Sequence, residues 1–476
     1  MLACDSEKLV TTVAHEKKGK SMNLGRRDFL RNAAWTSAGA VLAGGVSGCK
    51  SLDLFDRGGA QTVMGLRCKP QETIRVGVIG LGMRGPGAVQ VYSDIPGVEV
   101  AALSDLLPER AERQLKWLKE KNKPDAALYA GSEDAWKKLC ESDKVNLVHV
   151  TTPWLLHTPM ALYAMRCGKP VVVEVPAAVT LDECWELVET SEKTRCHCMM
   201  LENCCYGENE MFALMLCRKG VLGELVHGEG AYLHDLRSLK FNASGYQGMW
   251  RLKYSKAHTG NPYPMHGLGP ICQYMDINRG DRFEYLTSVS SGQFGMSQFA
   301  SEAFGKNSPE AKDTYRLGDM NTTVIRTCRG RTIMVQHDTT SPRPYSRINT
   351  ISGTKGILTD YPLRVALAPS SHGWMNDADL AALKAKYIHP LWDKSGDAAK
   401  KSGGHGGMDY LLLLRLCYCL QNGLPLDIDV YDTALWSSLL ELTERSTLNR
   451  GASIDVPDFT RGGWKTAQPL GIVEVR

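Results

Sequence analysis

Gly80-Leu81-Gly82-Met83-Arg84-Gly85 is a GxGxxG loop at the end of an apolar run, Ile74-Arg75-Val76-Gly77-Val78-Ile79. Glycines at these spacings let the backbone turn sharply and bring its amides against a pyrophosphate at a helix N-terminus. Alone, the motif is weak. Here it follows a strand pattern, opens a helix pattern, and precedes Asp105, 20 residues beyond Gly85 at the end of the next strand pattern. A carboxylate there accepts hydrogen bonds from the adenosine ribose and repels a 2′-phosphate, which favours NAD over NADP. Two more loops follow later strand patterns: Thr151-Thr152-Pro153-Trp154-Leu155-Leu156-His157 and Glu174-Val175-Pro176. Ligands bind outside the carboxyl ends of parallel strands, so these loops should face the nicotinamide half.

The elements that position these residues alternate. Strands are expected at Ile74–Ile79, Val98–Ser104, Val145–Thr151, Val171–Glu174 and Cys198–Glu202, with helices near Gly85–Ser93, Pro108–Lys121, His157–Cys167 and Leu181–Thr194. Such alternation argues for a parallel sheet. After Asn203 the pattern changes. A helix at Asn209–Lys219 leads into β-type stretches at Val226–His234, Tyr285–Gly292, Thr322–Thr327, Thr332–His337 and Asn349–Leu358. Residues 372–408 read as an irregular surface excursion, and helices return at Met408–Asn422 and Val430–Asn449. The expected fold is α/β: an NAD-binding Rossmann domain over 73–203, then a substrate-binding α+β domain over 204–476 with a largely antiparallel open sheet.

The chain of 476 residues is 43% hydrophobic and 23% charged, which is ordinary for a globular protein. A net charge of +4, without a basic patch interleaved with aromatics, argues against nucleic acid as a partner. Residues 1–49 read as targeting sequence, with those before Met22 upstream of the true start. Arg26-Arg27-Asp28-Phe29-Leu30 is a twin-arginine signature, and the apolar run after it ends in Val46-Ser47-Gly48-Cys49. That ending resembles a bacterial lipobox, with Cys49 lipidated and anchored in the cell envelope. Residues 50–72 read as a linker. Export of a folded enzyme implies a cofactor loaded in the cytoplasm and tightly held. The 15 cysteines fall mostly in apolar or helical patterns and read as buried thiols; neither Cys196-His197-Cys198 nor Cys204-Cys205 has zinc-ribbon spacing, so no metal is expected.

The plan is similar to the glucose–fructose oxidoreductase / inositol dehydrogenase superfamily, whose catalytic lysine lies in a Glu-Lys-Pro loop. Here that loop reads Glu174-Val175-Pro176, and the superfamily's Asp/His stretch is replaced by His266-Gly267-Leu268-Gly269-Pro270. A narrower match is closer. The runs Gly82–Gly85, Leu201-Glu202-Asn203-Cys204-Cys205-Tyr206, Gly223–Gly228, His234–Arg237, Tyr263–Pro270, Met275–Gly280 and Gly404-His405-Gly406-Gly407-Met408-Asp409-Tyr410 resemble glycoside hydrolase family 109, the NAD-dependent alpha-N-acetylgalactosaminidases. The likeness covers about residues 73–466. It implies NAD contacts at Met83, Arg84, Asp105, Trp154, Leu155, Leu156, His157, Glu174, Val175 and Asn203. It implies substrate contacts at Tyr232, Arg251, Tyr263, Pro264, Met265, His266 and Tyr345. His405 either lines the cleft or caps a turn.

The resemblance also implies a mechanism that needs NAD and consumes none. NAD⁺ accepts hydride from C3 of the sugar, the C2 proton becomes acidic, and the C1 group leaves by elimination. Water then adds, C2 is reprotonated, and the hydride returns. On this reading His266 handles the C3 hydroxyl proton and Tyr206 or Tyr263 exchanges the C2 proton, or the roles are swapped. The rival readings are an exported NAD-dependent sugar dehydrogenase or epimerase, a non-catalytic sugar-binding lipoprotein, and a Rossmann redox sensor. A homo-oligomer is a further expectation, since the exposed sheet face of that superfamily often pairs.

Overall fold

The first strand is built from Val and Ile, buried along almost its whole length. This fits the interior of a parallel sheet covered on both faces. The structure is a computed structural model and describes residues 61–369 and 372–475. The expected export signal, Cys49 and the first part of the linker lie outside the described residues.

Six strands form the first sheet: β1 (Ile74–Ile79), β2 (Val98–Asp105), β3 (Ala127–Ala130), β4 (Leu147–Val150), β5 (Val171–Val173) and β6 (Cys198–Met200). Their order is β3-β2-β1-β4-β5-β6 and every pairing is parallel. The order reverses between β1 and β4, so a crevice opens at the carboxyl ends of these two strands. The helix Leu181–Thr194 is set by a capping box in which Thr180 accepts from the Glu183 amide and Glu183 reaches back.

The second sheet contains β7 (Leu225–Leu233), β8 (Phe283–Ser290), β9 (Asn321–Thr327), β10 (Thr332–Asp338), β11 (Thr350–Gly353), β12 (Gly356–Thr359), β13 (Arg364–Leu367) and β14 (Ile454–Asp455). Its order is β13-β12-β11-β7-β10-β9-β8-β14. All pairings are antiparallel except β7 with β10. The helix Met265–Tyr274 lies across β7 with almost no space between backbones. A Cβ on Gly267 would meet the Ala231 nitrogen at 2.1 Å, and one on Gly230 would meet the Gly267 oxygen at 2.2 Å.

The late helices tie the two sheets together. Met408–Gln421 packs on the helix Gly85–Asp94 and on β1, while Val430–Leu448 packs on Leu181–Thr194 and on β8. The end of the expected linker is held down as well. Val63 is buried, its amide donates to the Tyr431 hydroxyl at 3.0 Å, and the Gln71 amide donates to the Leu420 carbonyl at 3.1 Å.

Several expectations are corrected. Residues 372–408 are not irregular: they carry the helices Asp377–Lys386 and Pro390–Ser402. The first is capped by Asn376, whose side chain accepts from the Asp379 amide. The second has Pro390 in its first turn and ends at Gly403. The Asn349–Leu358 stretch is a hairpin, β11 and β12, turned between Gly353 and Gly356. Strand β3 and the short helix Ala135–Glu141 were not foreseen. His266, although glycine and proline surround it, is the second residue of a helix. Among the described residues every cysteine is a free thiol, and no helix is long and apolar enough to cross a membrane.

The backbone contact between Gly267 and β7 leads to a stability prediction. Gly267→Ala should destabilise the fold by at least about 1–3 kcal/mol through overpacking against backbone. Urea unfolding measures it, and Gly87→Ala, whose Cβ meets nothing within 4 Å, should leave stability unchanged or raised.

Candidate active site

A cavity of about 990 Å³ runs from the carboxyl ends of the parallel strands to the face of the second sheet. Its first half is a cradle for a dinucleotide. Gly80 has φ +93°, and a Cβ there would meet the backbone of Thr151 and Thr152 at 3.0 Å. A Cβ on Gly85 would sit 2.0 Å from the Gly80 oxygen, so this glycine seats the helix under the loop rather than lining the cavity. The helix Gly85–Asp94 has no side-chain cap at its N-terminus, which leaves its amides available to a phosphate. Asp105 lines the wall, and its oxygens accept from the Leu81 amide at 2.6 Å and the Leu107 amide at 2.9 Å. The carboxylate thus shapes the glycine loop while keeping lone pairs for a ribose. These features fit NAD.

A charged knot holds the middle of the cavity. Arg84 reaches Glu174 at 3.3 Å and Asp409 at 3.2 Å. Asp409 accepts from Asn203 Nδ2 at 2.6 Å and lies 2.9 Å from His405 Nδ1. His149 Nε2 is 3.7 Å from Glu174. Burial alone would push the Glu174 carboxyl up, but the Arg84 guanidinium and His149 outweigh it and hold the group at about 2. Asp409 is likewise held well below the usual carboxylate range, against burial, by His405, Arg84 and Asn203. Both stay ionised at neutral pH. Val175, where the superfamily has its lysine, is a buried apolar part of the wall.

Beyond this knot the wall turns aromatic. Trp154 stacks on Tyr263 with centroids 5.6 Å apart and planes 22° apart. Tyr263 packs against Tyr232 at 4.8 Å. The Arg251 guanidinium lies 4.8 Å from both the Trp154 and Tyr263 rings, a cation–π sandwich that holds its N–H groups in place. Burial raises the Tyr263 hydroxyl well above the usual phenol range although Arg251 opposes the shift; Tyr232 is raised for the same reason. Both are neutral phenols at pH 7.

His266 sits against this wall. Its Nδ1 faces Glu202, with oxygens at 2.7 and 3.0 Å, and the Glu202 side chain is 0% exposed. A carboxylate facing Nδ1 fixes the tautomer that donates there and leaves Nε2 as the free base. Gly269 makes the approach possible: a Cβ there would meet Glu202 Cγ at 2.8 Å. With Cys204, the pair brings three metal-ligand atoms within 4.8 Å of one another. Burial holds the Cys204 thiol well above the usual thiol range, and the carboxylate–imidazole contact is a hydrogen bond, so an acid–base pair describes the trio better than a metal centre.

Gly80, Gly82, Met83, Arg84, Asp105, Trp154, Leu156, His157, Glu174, Val175, Asn203, Tyr232, Arg251, Tyr263 and His266 all line the one cavity. Other expected residues do not. Tyr206 is 2% exposed, its hydroxyl donates to Asp427 at 3.0 Å, and the turn Asn203–Tyr206 points it into the core. It is corrected from a proton-transfer candidate to a core tyrosine. Leu155 is 64% exposed and turned outward. Met265 is fully buried core, and Pro264 precedes the helix without lining the cavity. Tyr345 is 37% exposed and lies edge-on to two lining rings, 6.1 Å from Tyr232 and 5.2 Å from His234, its hydroxyl accepting from Arg347 at 3.1 Å. His405 lines the cavity. Sequence reasoning missed Glu202, Asp409 and His234. Only their places inside the matched runs marked them.

The fold and the cavity together define a dinucleotide-dependent enzyme whose second sheet supplies an aromatic chamber with a carboxylate-backed histidine. Residues 206–466 match the family model described as "Glycosyl hydrolase 109, C-terminal domain", and residues 74–202 match "Oxidoreductase family, NAD-binding Rossmann fold". A "Glycosyl hydrolase family 109 protein" of Shewanella pealeana is 46% identical over 95% of this chain and 100% of its own length. An "Alpha-N-acetylgalactosaminidase" of Bacteroides fragilis is 48% identical over 85% of this chain and 96% of its own. The chain belongs to glycosyl hydrolase family 109. Among solved structures, levoglucosan dehydrogenase in complex with NADH and levoglucosan has a TM-score of 0.60 at 18% identity, covering 81% of this chain and 100% of that one. An NAD binding oxidoreductase from Klebsiella pneumoniae has a TM-score of 0.62 at 18% identity, covering 81% and 99%. At such identity these two show the fold. NAD is the cofactor, and the substrate is a carbohydrate.

The buried pair gives the sharpest test of the site. Glu202→Gln keeps the shape and removes the charge behind His266. It should lower kcat by about 10²- to 10⁴-fold, the span of general acid–base catalysis, with little change in KM. Steady-state kinetics measure this, and circular dichroism checks that the fold persists.

Proposed function

We propose that this protein hydrolyses terminal alpha-linked N-acetylgalactosamine from glycoconjugates with a resident NAD. The sugar is the one named for the Bacteroides fragilis relative. The observation that carries the reaction type is the Glu202–His266 pair facing an aromatic chamber in the same cavity as the dinucleotide cradle. Among the described residues, no Asp or Glu side chain lines the aromatic part of the cavity formed by Tyr232, Trp250, Arg251, Tyr263 and His266, where ordinary glycosidases place a pair flanking the bond. Of the four acids that line the rest of it, Glu174 is committed to Arg84 and Asp105 to backbone amides, while Glu133 and Asp134 follow β3 at the cofactor end, Asp134 paired with Lys137 at 2.6 Å.

When bound, NAD supplies a reversible oxidation at C3 of the sugar, which acidifies the C2 proton and lets the C1 substituent leave before water adds. The protein's groups handle the protons. Nε2 of His266 takes the C3 hydroxyl proton, and Glu202 stabilises the imidazolium that forms. Tyr263, 4.9 Å from the His266 ring, exchanges the C2 proton as its phenolate, which forms from the resting phenol by loss of a proton to water and is stabilised by Arg251 over its ring; it is the phenol while it holds the C2 proton and the phenolate again once C2 is reprotonated. Arg251 and the Tyr232 hydroxyl hold the acetamide and hydroxyls of the sugar. Trp154 packs beneath.

Hydrolysis in heavy water tests the sequence of steps. The released sugar should carry deuterium at C2. Hydrolysis with no label at C2 rules out elimination, and NADH accumulating beside a free sugar supports the dehydrogenase reading instead.

We also propose export by the twin-arginine route and a lipid anchor at Cys49, supported by Arg26-Arg27 and the residues before Cys49. Cell fractionation in a bacterial host decides this. The parent should sediment with membranes and Cys49→Ala should be soluble; an identical distribution contradicts the anchor.

A further inference from the structure

One segment of the second half of the chain crosses to the cofactor cradle. Ser244–Gly248 line the same cavity as the glycine loop. Gln247 Oε1 accepts from Arg110 Nη1 at 2.7 Å, a bond between parts of the chain 137 residues apart. Arg110 belongs to the first turn of the helix Pro108–Glu120, directly after the ribose-side strand β2. Its Nη1 lies 3.9 Å from Asp105 Oδ1 and 3.4 Å from where a Cβ on Gly82 would stand. The bridge therefore passes over the stretch of cleft between the phosphate loop and the ribose carboxylate.

The segment is shaped in advance. Asn242 Oδ1 accepts from the amides of Ser244 and Gly245 and from the Ser244 hydroxyl, which folds the approach to Gln247 into a tight turn. Gly248 has φ 65° and Met249 has φ 52°. The left-handed backbone at Met249 is unfavourable for a residue with a Cβ, so the surrounding contacts hold it. Two of those contacts belong to the substrate chamber. Arg251 Nη1 donates to the Tyr246 hydroxyl at 2.5 Å, and Trp250 packs on Trp154 at 5.0 Å.

We infer that residues 242–249 form a clasp closed over the dinucleotide, with the Gln247–Arg110 hydrogen bond as its latch and Gln247 as a positioning residue that governs how slowly the cofactor leaves. The inference rests on NAD being the resident group of this cleft. It supplies a physical reason for the retention that a folded, exported enzyme needs. A hydrogen bond to a charged donor is stronger than one between neutral groups. Losing about 1.4 kcal/mol of barrier speeds release about tenfold.

The test measures exchange of bound NAD⁺ for isotope-labelled NAD⁺ in the loaded protein without any glycoside. The readout is therefore independent of the hydrolytic mechanism, and failure of the elimination scheme in heavy water leaves it intact. Gln247→Ala should exchange NAD about tenfold faster than the parent. Gln247→Glu, which restores an acceptor for Arg110, should exchange as slowly as the parent or more slowly. Parental exchange in Gln247→Ala, or fast exchange in Gln247→Glu, overturns the clasp.

Discussion

A buried carboxylate needs a partner, and Glu202 has one across the join between the two sheets. Taking an ion out of water costs several kcal/mol unless hydrogen bonds replace its hydration. Glu202 finds the Cys204 amide at 3.0 Å and the His266 ring at 2.7 Å. It stands just beyond β6, the last strand of the cofactor sheet. His266 opens the helix that presses on β7, the first strand of the second sheet. One hydrogen-bonded carboxylate–imidazole pair therefore joins the cofactor cleft to the sugar chamber. The glycines at 230, 267 and 269 follow from that demand, since a Cβ at any of them would push the helix off the strand or off the carboxylate.

A second knot works the same way on the other side of the cavity. Arg84 comes from the glycine loop, Glu174 follows β5, and Asp409 stands at the start of a helix far along the chain. Their mutual attraction keeps both acids ionised despite burial. Between the two knots lies an aromatic wall with one embedded guanidinium. Firm positions suit a reaction in which the cofactor and the proton-transfer groups must act on adjacent carbons of one ring.

Much of this was legible in the sequence because it is local. The glycine loop, Asp105 and the strand–helix alternation rest on turn chemistry and hydrophobic period, and they appear as expected. The helices Asp377–Lys386 and Pro390–Ser402 were hidden by glycine- and tryptophan-rich composition, although Asn376, Pro390 and Gly403 mark their ends. The site was legible by resemblance more than by pattern. The run from Leu201 to Tyr206 holds both Glu202 and Tyr206, and nothing in it says which faces the cavity. That is decided by Asp427, 221 residues beyond Tyr206, which draws the phenol into the core. Glycine and proline surround His266, a composition that hides its helix. Those glycines serve a helix packed unusually close to a strand.

On the proposed mechanism the cofactor takes and restores one hydride at C3 for every glycosidic bond cut. A glycoside carrying deuterium at C3 tests it directly. Mass spectrometry of the released sugar should find the deuterium still at C3, with no net NADH formed over many turnovers. Loss of the C3 label to solvent, or a steady build-up of NADH, would contradict the account.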